Sequence, residues 1–393
     1  MDSTPLPLSL PPDHLGLYIH VPFCVRKCRY CDFSSQAIGG NPALPDQYLD
    51  ALAIEARRRR EASPRPLHSI FIGGGTPTTL TGAQLRRLWH EIIAPFPRTP
   101  QAEISIEANP GTFSEEVLAA LAEIPLTRVS IGVQSMHPDE LSLLGRIHTP
   151  AEVADAVAAV RAIGIPRINL DLIYALPGQT PARWAETLRQ ALTLRPDHLS
   201  LYALMLEEGT PLTAQVEAGQ LTLPGEEEEE AMADATDALL AAAGFIQYEV
   251  SNAAPAGLYS RHNLGYWLGR DYLGLGPAAT STFGAVRWRN TADVAAYIAR
   301  VQAQETAVAY AERLSGAERL LERVMLGLRL RDGFTLAEAE NDCGCTLDAL
   351  ARAAIDALQR EGLLEFDRGQ LRLTSTGFPL ANTVVSRLMV GVN

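Results

Sequence analysis

Through the first half of the chain, apolar runs of strand length alternate with segments of helical period. LGLYIHVPF from Leu15, HSIFIGGG from His68, AEISIEAN from Ala102, RVSIGVQS from Arg128, RINLDLIYAL from Arg167 and HLSLYALM from His198 read as strands. Between them, DQYLDALAIEARRRREA from Asp46, SEEVLAALAEI from Ser114 and PAEVADAVAAVRAIG from Pro150 carry apolar residues at helical spacing, the stripe of a helix with one buried face. Near-continuous Val, Ile and Leu suits strands covered on both faces, and βα alternation implies a parallel sheet with right-handed crossovers. Six such units predict an α/β fold, an open, partial (β/α)6 barrel related to the TIM barrel, whose chemistry sits at the C-terminal strand ends. Those ends carry Cys24, the turn Gly73-Gly74-Gly75-Thr76-Pro77, Glu107-Ala108-Asn109-Pro110 and Gln134, with Asp171 inside its strand.

The alternation stops after Met205, which predicts a barrel region over 1–220, connecting elements over 221–305 and a separate small domain over 306–393. In the connecting region, the glutamates of GEEEEEAMADATDALLAAAG favour a helix N-terminus and read as a solvated first turn, and Arg57 to Arg60 likewise read as a surface face. Helical patterns around GAERLLERVMLGLRL, TLAEAENDCGC and LDALARAAIDALQREG, followed by a hairpin turning at Asp367-Arg368-Gly369, predict a winged-helix-like module.

Composition narrows the function classes. With 47% hydrophobic and 20% charged residues over 393 positions, the chain can bury a large core. No stretch reaches the roughly 18 uncharged apolar residues of a membrane span, and the N-terminus lacks the basic region of a signal peptide. A cytoplasmic protein is expected, with membrane contact confined to the periphery. A net charge of −13 opposes binding to a polyanion, so nucleic acid is not an expected partner and the acidic small domain is read as a packing or partner module.

Five cysteines do not make a disulfide framework in a chain of this length. Three of them form Cys24-Val-Arg-Lys-Cys28-Arg-Tyr-Cys31, directly after the first strand. Three thiolates on one short loop can hold three irons of a [4Fe-4S] cubane and leave the fourth open. Zinc ordinarily takes four protein ligands in paired units, and thioredoxin-like chemistry needs two cysteines, so a zinc site or free thiols are the alternatives. Cys343 and Cys345, in an apparent loop of the small domain, read as structural thiols.

CxxxCxxC with GGGTP, EANP, SIGVQS and NLDLIYALPGQT in this order resembles the radical S-adenosylmethionine (SAM) branch that contains oxygen-independent coproporphyrinogen III oxidase and its relatives, the HemW haem chaperones. The likeness covers most of the chain. It implies a cluster on Cys24, Cys28 and Cys31, SAM on the open iron, and an electron donor that lets SAM split into methionine and a deoxyadenosyl radical. Tyr18 and Tyr30 resemble aromatics flanking cluster and adenine, and Gly74, Gly75 and Thr76 resemble the turn that takes the methionyl ammonium. Glu107, Gln134, Arg146 and Asp171 match polar SAM contacts. Read without the resemblance, GGGTP is a tight turn and each polar residue a satisfied interior group.

Three features separate this chain from the oxidase pattern. That pattern continues past the third cysteine as CxC, whereas here Cys31-Asp32-Phe33 ends in an aromatic. Only residues 1–23 precede Cys24, little room for the N-terminal extension expected of the oxidase. His262-Asn263-Leu264-Gly265-Tyr266-Trp267 reads HNxxYW, which in the chaperone group is associated with haem binding. The resemblance makes His262 the haem ligand; without it, a histidine beside Tyr and Trp is ordinary core. The expected function is haem binding and delivery to an acceptor apo-protein, with cluster and SAM retained. The alternatives are oxidative decarboxylation of coproporphyrinogen III or another tetrapyrrole reaction, and a structural iron-sulfur module. Whether SAM is cleaved in function is left open, and His20, His137 and His148, near strand ends, have no assigned role.

Overall fold

The computed structural model describes residues 10–389; positions 1–9, on which the reading of the N-terminus partly rests, lie outside the described residues. The six expected strands are β1 (Leu15–Val21), β2 (Leu67–Gly74), β3 (Arg98–Ala108), β4 (Arg128–Gln134), β5 (Ile168–Tyr174) and β6 (His198–Ala203). They pair parallel in that order. Every residue of β4 is buried, as expected of a strand covered on both faces. Truncating one such side chain, for example Leu170→Ala on β5, would cost about 2–5 kcal/mol.

Six further strands extend the sheet: β7 (Ile246–Gln247), β8 (Asn252–Ala254), β9 (Asp271–Leu275), β10 (Thr280–Phe283), β11 (Val286–Asn290) and β12 (Val308–Arg313). The order is β12-β11-β10-β9-β1-β2-β3-β4-β5-β6-β8-β7, a twelve-stranded partial barrel open between β12 and β7. β9 lies parallel to β1, Leu15 opposite Asp271 and Ile19 opposite Leu275. The region 221–305 thus supplies β7 and β8 at one edge of the sheet and β9 to β11 on the other side, where β12 (Val308–Arg313) forms the edge.

Helix starts follow a repeated local rule. Thr149-Pro150, Thr180-Pro181 and Thr210-Pro211 each put a hydroxyl at the N-cap and a proline in the first turn, and each threonine accepts a hydrogen bond from the backbone three residues on. The glutamates Glu226 to Glu229 are exposed in the first turn of a helix over Glu226–Ala242. Arg57 to Arg60 are less free than a solvated face: Arg58 donates to Glu305 O at 3.0 Å and Arg59 lies 4.8 Å over the Trp288 ring.

The small domain packs helices Gly316–Gly327, Leu336–Cys343, Ala349–Arg360 and Ala381–Met389 around a three-stranded sheet. Its hairpin joins β14 (Leu364–Asp367) to β15 (Gln370–Leu373), and β13 (Phe334–Thr335) pairs with β15. Arg368 and Gly369 both take positive φ, the turn geometry that matches strand twist. Cys343 is buried at the end of its helix, and Cys345 is half-buried.

Candidate functional site

The backbone of Phe23 and Cys24 pairs with Gln36 and Ala37, which folds the intervening segment into a closed loop over the C-terminal end of β1. Cys24, Cys28 and Cys31 all line one cavity of about 320 Å³ there, and all three are partly exposed. No three His, Cys, Asp or Glu side chains among the described residues converge on a single-ion position. Thiols that share a cavity without converging suit a cluster, in which each meets a different iron. Thr76 Oγ1 lies 3.8 Å from Cys24 Sγ, and Arg146 Nη1 lies 3.4 Å from Cys28 Sγ. These donors favour thiolate charge on Cys24 and Cys28; neither reaches Cys31, whose thiol burial pushes up to about 11.

The same cavity gathers Tyr30, Gly74, Gly75, Thr76, Glu107, Gln134, Arg146 and Asp171 from four strand ends and two loops. Tyr18 is not among them. The glycines are sterically required: Gly74 has φ of +108°, and a Cβ on Gly75 would stand 2.5 Å from the Phe23 carbonyl oxygen. Gly75 and Thr76 donate backbone hydrogen bonds to Val21 and Phe23, which seats the turn against the cysteine loop. Gln134 has φ of 68° where the β4–β5 register shifts, a conformation that re-aims its side chain.

Asn109 organises the centre. Its Nδ2 donates to Thr76 Oγ1 at 2.7 Å, and its Oδ1 accepts from Arg146 Nη2 at 2.5 Å. The sequence placed Asn109 at a strand end but assigned it no role, because its partners lie 33 and 37 residues away. Arg146 Nη2 also donates to Gly132 O, and Nε is buried with no partner. The Arg146 guanidinium, the Gly74 and Gly75 backbone and two carboxyls line the cavity and fit a zwitterionic ligand such as SAM. Burial raises Glu107 to about 8, helped by the neighbouring Asp171, although the Gly74 N–H at 3.0 Å opposes the shift. Asp171 is likewise raised by burial, against hydrogen bonds from Ser130 and Asn169.

Residues 18–191 match the radical SAM superfamily, and 314–380 match the HemN C-terminal domain. The heme chaperone HemW of Mycobacterium tuberculosis is 37% identical over 384 residues, 97% of this chain and 96% of that one. HemW of Bacillus subtilis is 36% identical over 93% of this chain and 97% of its own. The chain belongs to the HemW family of radical SAM proteins. Among solved structures, coproporphyrinogen III oxidase (HemN) from Escherichia coli superposes with a TM-score of 0.84 at 26% identity, covering 96% of this chain and 91% of that one.

In this HemW-family chain a second cavity, of about 350 Å³, adjoins the first and shares Asp32, Phe33 and Gly74 with it. Tyr18 and His20 of β1, Tyr266, Tyr272 of β9 and Arg289 of β11 form much of its wall. His20 Nε2 donates to Ser34 O at 2.8 Å, so Nδ1 accepts from the Tyr18 hydroxyl at 2.9 Å and the ring is held neutral in one tautomer. Phe33 is 59% exposed on the shared rim.

His262, in the helix Arg261–Trp267, does not line this cavity. Its Nδ1 is 2.9 Å from Ser69 Oγ, its Nε2 is 2.9 Å from the Tyr266 hydroxyl, and Phe71 stacks on its ring. Burial lowers it to about 3, so the imidazole is neutral. Tyr266 carries the motif to the cavity. His137 and His148 bond to backbone carbonyls of Arg183 and Val133 and line neither cavity.

Proposed function

We propose that this chain binds haem and passes it to an acceptor apo-protein, on a barrel that holds a [4Fe-4S] cluster and SAM. The observation that carries the reading is the pair of adjoining cavities, one walled by the three thiols and the other by Tyr266 of HNLGYW, in a chain that aligns with HemW proteins over nearly its whole length. The proposal includes the expected cytoplasmic setting and an electron donor. No helix among the described residues is long and apolar enough to cross a membrane.

When bound, the cluster would supply an electron and an open iron for SAM. Cys24, Cys28 and Cys31 would hold it, and Arg146 would balance thiolate charge through Cys28. The Gly74-Gly75-Thr76 turn would orient SAM by its backbone, with Glu107, Gln134 and Asp171 as side-chain contacts and Tyr30 beside them. On the haem side, both nitrogens of His262 are engaged, so an iron bond from Nε2 requires the Tyr266 hydrogen bond to open. As it stands, His262 holds Tyr266 against the cavity.

The competing reading, coproporphyrinogen III oxidation, draws on the likeness to HemN. Against it, Phe33 occupies the position of the oxidase-type cysteine. The deciding experiment is anaerobic reconstitution of the cluster with SAM and reductant, followed by haem titration at the Soret band and transfer to an apo-cytochrome. Haem uptake and release support the chaperone reading; no uptake, with turnover of coproporphyrinogen III, overturns it.

A further inference from the structure

The second cavity contains a cation without a partner. The side chain of Arg289, exposed on β11, makes no hydrogen bond or ion pair among the described residues, whereas that of Arg287, two positions away, is held by Glu322 at 2.6 Å. Part of the wall of the same cavity is aromatic: the Tyr266 and Tyr272 rings meet edge to face, centroids 4.7 Å apart. Phe33 presents an exposed face on the rim shared with the cysteine cavity. Asp32 on that rim is the one carboxylate in the lining. An aromatic wall, an open aromatic face and a single unpaired guanidinium suit a flat, apolar ring system that carries a carboxylate at its edge.

We propose that this cavity is the seat of the haem edge, with Arg289 pairing a propionate and Phe33 covering the ring. The inference rests on the haem reading above and adds the residues that choose the ligand and its orientation. Haem then lies beside the cluster cavity and is separated from it by Phe33 and Gly74. The chain recognises the propionate through a group remote in sequence from HNLGYW, brought there by the β9–β11 meander.

The test titrates haemin and haemin dimethyl ester, which lacks the free propionates, into cluster-loaded wild type, Arg289→Glu and Phe33→Ala. Wild type should prefer haemin. Arg289→Glu should weaken haemin by about tenfold and leave the ester unchanged, as expected for loss of a charge-assisted pair. Phe33→Ala should weaken both ligands alike. In Arg289→Glu the iron-sulfur absorbance reports folding, since the Arg289 side chain touches no part of the cysteine loop hydrogen-bond network; in Phe33→Ala, which alters that loop, far-ultraviolet circular dichroism reports it. Equal haemin binding by Arg289→Glu and wild type overturns the proposed seat while leaving the haem reading intact. Equal loss of haemin and ester in Arg289→Glu overturns the propionate pairing. No Soret change in wild type overturns both this seat and the haem reading.

Discussion

The Nε2 atom of His262 lies 2.9 Å from the hydroxyl of Tyr266, one helical turn further on, and this bond joins a buried imidazole to a residue of the cavity wall. His262→Ala removes the support behind Tyr266 and should weaken haem binding and shift the Soret band, with the iron-sulfur spectrum unchanged. Tyr266→Phe deletes only the hydroxyl. It should reproduce most of the spectral shift if His262 acts through Tyr266, and should be nearly silent if His262 reaches iron itself. Loss of this partly buried bond should also cost about 1 kcal/mol of stability, checked by denaturant unfolding.

The three loop cysteines share a cavity, and the two downstream cysteines lie in another domain. Cys24→Ala, Cys28→Ala or Cys31→Ala should each abolish the anaerobic iron-sulfur absorbance and the bound iron. Cys343→Ala and Cys345→Ala should keep both. A full cluster in Cys28→Ala would contradict the assignment.

Phe33 stands two residues past Cys31 with more than half its surface exposed. With an aromatic in place of a fourth loop thiol, reconstituted protein with SAM and reductant should not convert coproporphyrinogen III to protoporphyrinogen IX over multiple turnovers. Product chromatography decides the matter, and sustained turnover would promote the oxidase reading.

Burial holds Glu107 at about 8, above its ordinary value of 4.5. A carboxyl raised on folding favours the native state most below its unfolded value, and that contribution disappears as pH rises through the folded one. For one group the slope is at most about 1.4 kcal/mol per pH unit. Relative to Glu107→Gln, cluster-free wild type should therefore lose stability between pH 5 and pH 8. Glu249, raised to about 7 by burial, slopes the same way in both proteins, and His14 and His262, lowered by burial, slope the opposite way in both, so the difference between the two curves reports Glu107 and its coupling to Asp171. Parallel curves would refute the buried acid.

Much of the architecture was legible because its signals are local. A fully buried parallel strand must be apolar on both faces, so RVSIGVQS and RINLDLIYAL announce β4 and β5 without reference to their neighbours. Threonine followed by proline marks a helix start for reasons contained in one turn of backbone. Three cysteines within eight positions are close in space whatever the rest of the chain does, and the strand rule alone put Glu107 and Gln134 at one end of a barrel, with Asp171 inside its strand.

What tertiary structure decided concerns partners far apart along the chain. Nothing local in DYLGL says that β9 pairs with β1, since that register is set by burying both strands in a common sheet. Asn109 acquires its role only when Thr76 and Arg146 arrive from separate βα units. Tyr18 reads as a neighbour of the cysteine loop but projects from β1 into the second cavity, because alternate residues of a strand face opposite ways and Tyr18 shares its face with His20. His262 and Tyr266 belong to one motif, yet packing against Ser69 and Phe71 buries the imidazole and leaves the phenol ring at the cavity. Sequence names the residue types capable of this chemistry; which of them meets a ligand depends on how distant strands and helices exclude water around each one.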